Sequence, residues 1–145
     1  MGGVRIDLAQ KIRWLMRGAR SASLSTVTAD AWPYGSMVTV AIDQDASPLL
    51  LMSTLSDHTR NLDNNDRGAL LFSAPDRYRN PQRISRATVM GRIRKTKKTH
   101  HAARFHTMHP EAKAYSSFGD FDFYRMNIER VHWIGGFAQA HWLRG

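Results

Sequence analysis

The sequence predicts a mainly β fold, a small barrel of six to seven strands with peripheral helices. Three observations predict it. Short apolar or alternating segments recur between clusters of turn-forming residues. Helical patterns are few and do not separate the strands regularly, which argues against a doubly wound parallel sheet. The chain has 145 residues, 42% of them hydrophobic and 10% aromatic, enough for one domain with a real core.

The elements follow in order. Asp7 to Arg17 reads as a helix, with Leu8, Ile12, Leu15 and Met16 on one face and charges opposite; Gly18 ends it. Ser21 to Thr28 is a strand of small and β-branched residues, and Asp30 to Pro33 is a turn. Ser36 to Ile42 is the second strand, with Ser36, Val38, Val40 and Ile42 sharing a face. The polar loop Asp43 to Ser47 leads into a third strand, Pro48 to Ser53. A short helix covers about His58 to Asn65. Ala69 to Ser73 is a fourth strand, apolar enough to expect burial on both faces. Ala87 to Thr96 is a fifth. Thr99 to His109 reads as a helix with Ala102, Phe105 and Met108 inward, and Pro110 opens another running to about Tyr115. Phe121 to Ile128 and Val131 to Trp142 read as two last strands, with Gly135-Gly136 as a bend or bulge.

Composition narrows the classes of function. Cysteine is absent, which excludes disulfides and thiolate metal sites and fits a cytoplasmic protein. No apolar run approaches the roughly 20 residues that cross a bilayer. Near the N-terminus, Lys11, Arg13, Arg17 and Arg20 interrupt a helical pattern where a signal segment would be apolar. The net charge of +9 suits an anionic partner. The dense run Arg92, Arg94, Lys95, Lys97 and Lys98 has no nucleic-acid motif around it, and a solvated strand end is the simpler account. No nucleic-acid or membrane partner is expected.

The most informative segment is Asp57 to Asn65. His58, Thr59, Arg60 and Asn61 place four side-chain donors together where a strand gives way to a helix. A helix start with free N–H groups and a favourable dipole suits a phosphate; a capped, solvated helix start is the alternative. No nucleophile elbow, Walker loop or dinucleotide fingerprint occurs. His100, His101, His106 and His109 crowd one helix without a carboxylate before Glu111, so a solvated helix face is favoured over a metal site. The aromatics Phe118, Phe121, Phe123 and Tyr124, then Trp133, Phe137 and Trp142, fill a core or flank a flat ring.

The order of these motifs resembles the pyridoxamine 5'-phosphate oxidase-like FMN-binding split-barrel family, in its haem-utilisation-related branch. The residues that carry the resemblance are Ala19-Arg20, Pro33 to Val38, Pro48 to Ser53, Leu55 to Leu62, Asp66-Arg67, Ser85 to Gly91, His109 to Ala112, Phe118 to Phe121 and Gly135 to Phe137. The His-Thr-x-Asn-Leu and Gly-Asp-Phe segments are the distinctive ones.

The resemblance implies a single split β-barrel domain over residues 1–145 that forms a homodimer with ligand sites at the subunit interface. It implies FMN as cofactor, or haem in the same cleft, and a flavin-dependent oxidoreductase acting on an unidentified small substrate. The phosphate would lie on Ser53, His58, Thr59, Arg60 and Asn61, and the ring along Ser36, Met37 and Val38. Arg86 matches a ligand-contacting position; alone, it reads equally as a solvent-facing strand arginine. Two departures stand out. Asp57-His58 replaces the Arg-Lys pair of the oxidase proper, so oxidase activity does not carry over. The histidine of haem-binding relatives lies in a C-terminal extension, which His141, within an Ala-His-Trp strand, does not match. No residue stands out as an obligatory acid or base.

Overall fold

The computed structural model describes residues 2–75, 79–136 and 139–145, with side chains from Asp7 onward. Seven strands form one antiparallel sheet in the order β3-β2-β1-β4-β5-β6-β7: β1 Ser21–Val27, β2 Pro33–Ile42, β3 Pro48–Ser53, β4 Arg67–Ser73, β5 Arg86–Lys95, β6 Phe121–Ile134 and β7 Ala140–Arg144. Pairing of β3 with β6 closes the first six into a barrel. Four α-helices accompany it: α1 Gly2–Arg17, α2 Asp57–Asn64, α3 Thr99–Met108 and α4 Lys113–Ser116.

The long strand β6 explains the closure. Its first residues, Phe121 to Arg125, pair with β3, and Arg130 to Ile134 pair with β7 on the same edge. Its other edge runs along β5 almost throughout. The sequence reading divides this segment into two strands, Phe121 to Ile128 and Val131 to Trp142, with Glu129-Arg130 between them. It is a β-bulge instead: Met90 faces Arg130 and Gly91 faces Ile128, leaving Glu129 as the extra residue. The freed Glu129 carbonyl accepts the Gly145 amide at 3.0 Å, and its carboxylate pairs with Arg92 Nε at 3.1 Å.

Two cores follow from the pleat. Inside the barrel, Leu24, Val40, Ile42, Leu50, Leu70, Phe72, Val89, Ile93, Tyr124 and Met126 pack together, and Ile12 and Met16 of α1 reach the same cluster. Outside it, Ala41, Leu49 and Leu51 meet Phe105 and Ala112. The strand buried on both faces is therefore β3, and the expectation for β4 is corrected. The outer core of α3 lies on β2 and β3, and Leu71 of β4 remains 43% exposed. The inward face of α3 also differs from the simple apolar reading. His101, Phe105 and His109, spaced four apart, are the buried positions, and Ala102 and Met108 are only partly covered. His109 Nε2–H donates to the Val40 carbonyl at 2.6 Å, which satisfies a buried polar ring. The solvated-face expectation thus fails for His101 and His109 because partners distant in sequence satisfy their nitrogens. The bend at Gly136 has φ of 117°, a glycine conformation; Phe137 lies outside the described residues.

The basic run is largely neutralised. Asp66 pairs with both Arg92 and Arg94 at 2.7 Å, and Lys95 pairs with Asp122 at 3.1 Å. Arg94, then Arg92, hold the Asp66 carboxyl below the usual carboxylate range. Gly91 is required by the bulge: a Cβ there would lie well inside contact of the Asn127 carbonyl, a backbone atom with nowhere to retreat. Gly91→Ala is expected to lower unfolding free energy by about 2–3 kcal/mol, read from urea denaturation; a loss below about 0.5 kcal/mol would show that the two strands can separate without cost.

Candidate functional site

Strands β2 and β3 pair for only three residues, Val40 to Ile42 against Leu50 to Pro48, and then part. From Pro33 to Thr39, β2 has β1 on one edge and, among the described residues, no strand on the other. β3 turns away toward β6, and the chain continues from Ser53 through a turn into α2. The gap is bridged by side chains. His58 Nδ1 lies 3.2 Å from Ser36 Oγ. Asn61 Nδ2 donates to Thr26 Oγ1 of β1 at 3.0 Å, with both residues buried.

The turn before α2 is held from the other side. Ser53 Oγ donates to Asp120 Oδ2 at 2.9 Å and accepts the Leu55 amide at 3.1 Å. The Thr54 amide donates to the Asp120 carbonyl at 2.6 Å. Asp120 of the Gly-Asp-Phe segment therefore fixes Ser53 and Thr54, the turn that leads into the His-Thr-x-Asn-Leu segment. The Ser56 side chain makes no cap to α2.

The nine residues expected at a ligand fall into three places. Ser36, Ser53, His58, Thr59, Arg60 and Asn61 cluster where the strands part. Val38 is 6% exposed within the barrel core, so only its backbone is open to a ligand. Met37, 79% exposed, and Arg86 lie on the outer face of the sheet. Arg86 is three strands across and three residues along from the Ser36 row, on the order of 15 Å away at sheet spacings. Its guanidinium is held by the Ile84 carbonyl at 3.0 Å and by Gln82. Within one protomer, Arg86 does not reach His58.

Within the cluster, charge and polarity are unevenly spent. Among the described residues Arg60 pairs with Asp57, at 3.5 Å on an exposed helix turn, a pairing worth little and easily exchanged. Asn61 is committed inward. Thr59 Oγ1 and His58 Nε2 are buried polar atoms without a hydrogen-bond partner among the described residues. Burial lowers the His58 pKa from its ordinary value, against the smaller opposing effect of Asp57, so the ring is neutral at pH 7. A freely exchanging guanidinium, a neutral imidazole and two unmet polar atoms, with Leu55 exposed on the turn before α2, fit an anionic ligand with an apolar body. The sequence missed Asp120 as the organiser of this turn; its pairing with a residue 67 positions earlier leaves no local signal. His141 lies on β7 opposite Trp133, in a cleft with Trp14 and Lys11, away from this cluster.

Comparison with known proteins follows the same lines. The chain is 33% identical over 141 residues to the non-canonical heme oxygenase HOZ, chloroplastic, of Arabidopsis thaliana, covering 94% of this chain and 43% of that protein. It is similar to the structure of a heme binding protein from Mycobacterium smegmatis, with 25% identity and a TM-score of 0.84, covering 91% of this chain and 55% of that one. The chain thus spans about half the length of both. A Listeria innocua protein assigned as a pyridoxamine 5'-phosphate oxidase shares the fold, at 14% identity and a TM-score of 0.69 over 89% of this chain and 99% of that one. The family model described as "CREG, beta-barrel" matches residues 5–145, and with the barrel in place the chain belongs to that family of split-barrel proteins.

Proposed function

We propose that this chain binds haem where β2 and β3 part, in a site completed by a second copy of the chain. The observation that carries the reading is the 33% identity, over 94% of this chain, to a protein named as a heme oxygenase. The geometry supports it. Arg60 supplies a charge-assisted donor for a propionate. The unpaired edge of β2, with exposed Leu55 on the adjoining turn, offers surface for a macrocycle. Haem, once bound, supplies the iron chemistry, and the chain's part is to hold and orient it.

FMN in the same cleft is the second reading. Thr59 at the start of α2, with an unmet hydroxyl, favours it, because a phosphate takes such donors. The isoalloxazine would use the same β2 edge.

A second copy is favoured by the outer sheet face. Met37, Ser23, Leu71, Thr88, His132 and Trp142 stand in one row across β2, β1, β4, β5, β6 and β7. Met37 and Leu71, two strands apart on this row, are exposed at 79% and 43%, apolar surface that association would cover. Arg86 shares this outer face, where association would bring a second copy toward it. Leu71→Asp is expected to turn a dimer into a monomer by light scattering at micromolar concentration. A wild-type monomer would remove the second copy from the proposal.

Titration of the purified chain with haem is expected to give a saturable Soret shift, and Arg60→Ala to weaken binding by about 1.5–3 kcal/mol, the scale of a hydrogen bond to a charged group. FMN binding with no haem response would transfer the site to the flavin. Failure of both ligands to bind would refute the cleft altogether. The depressed pKa of His58 carries its own sign. Its contribution to stability is complete above the ordinary imidazole value of about 6.5 and is lost as pH falls from there through the lowered folded value. Melting temperature should therefore drop on acidification below about pH 6.5, and His58→Asn should flatten that drop.

A further inference from the structure

We propose that Asp43, His100 and His101 form a site for a zinc-class divalent ion, joining the β2–β3 turn to the start of α3. His101 Nε2 lies 3.3 Å and His100 Nε2 3.8 Å from Asp43 Oδ2, and the three ligand atoms fall within 4.8 Å of one another. Two ligands held about 2.0–2.1 Å from a tetrahedral ion stand about 3.3 Å apart. The His101–Asp43 separation has that value already, and His100, exposed and near the first turn of α3, needs a small rotation to match it.

The surroundings are those of a ligand set. The Asp43 side chain is nine-tenths buried and faces the two imidazoles. Its backbone is fixed by the turn, with the Asp43 amide donating to the Ser47 carbonyl and the Ala46 amide to the Asp43 carbonyl, both at 2.9 Å. His101 is buried, and its Nδ1 stands 2.6 Å from Thr96 Oγ1, whose oxygen also takes the Lys98 amide at 3.4 Å. In the tautomer that donates from Nδ1 to Thr96, the Nε2 lone pair is left for a metal. This is the arrangement by which an outer partner fixes a histidine ligand. Three protein ligands leave a fourth position open to water on the exposed His100 side.

Three groups oppose the ion. The cations of Lys98 and Arg125 both act on His101, and α3 begins here with its positive dipole end. Arg125 is partly offset by Asp45 at 3.2 Å. The site is therefore of moderate affinity, and Lys98 limits it.

Calorimetric titration of the full chain with Zn²⁺ tests the proposal, using variants that leave the core untouched. One equivalent is expected to bind and raise the melting temperature. His100→Ala should weaken binding at least tenfold without changing the apo melting temperature. Lys98→Met should tighten binding several-fold, and His132→Ala, at the distant β6–β7 edge, should leave it unchanged. Co²⁺ in place of Zn²⁺ should give the intense visible bands of a four-coordinate ion, lost in His100→Ala. Zinc binding that is absent, or that survives His100→Ala unaltered, would overturn the site.

Discussion

The parting of β2 from β3 after three paired residues is the constraint on which the rest depends. Paired further, the two strands would fill the edge from Pro33 to Thr39 and leave no cleft. Parted without support, they would leave a row of unsatisfied backbone groups and a loose turn. The chain supports the gap with polar side chains. Asp120 holds Ser53 and Thr54, His58 reaches Ser36, and Asn61 ties α2 to Thr26. The same residues that look like a ligand cradle are thus partly the scaffold of the opening.

That double use divides the labour within one helix turn. Asn61 and Thr59 are buried, and Asn61 spends its amide on β1, so its loss would leave Thr26 without this partner in the interior. Arg60 points outward with only a weak neighbour. His58 stands between, one nitrogen toward Ser36 and the other unmet. A ligand at this place therefore meets a turn already held by Asp120 and by Asn61, which limits the ordering cost of binding.

Much of the fold was legible because it rests on local periodicity. The alternating burial of β1 and β5 and the amphipathic stripe of α1 follow from sequence spacing alone. What escaped depends on contacts between distant segments. The strand break placed between Ile128 and Val131 disappears once β5 is laid beside it, where Met90 and Gly91 make it a bulge. The apolar runs of β3 and β4 look alike; α3 covers one and not the other. His101 and His109 look solvated until Asp43, Thr96 and Val40 are brought to them. For the candidate site, the segment from His58 to Asn61 was visible as a donor cluster. That Arg86 stands apart from it on the outer face required the strand register.

The charge surplus fits this arrangement once its pairs are removed. Asp66, Asp122, Asp45 and Glu129 neutralise the cations that gather along β5 and β6, so that flank of the barrel is held by ion pairs and offers little to a long anion. These pairs are largely exposed and add little stability one by one; their effect is to keep a dense row of like charges from repelling itself across adjacent strands. Arg60 differs in kind. Among the described residues its ion-pair partner is Asp57, an exposed carboxylate on the same turn at 3.5 Å. A cation that can leave its partner at little cost, placed at the mouth of a half-apolar cleft, is what an anionic head group with a flat body would recognise. The net charge of the whole chain says less about its ligand than this one weakly held guanidinium does.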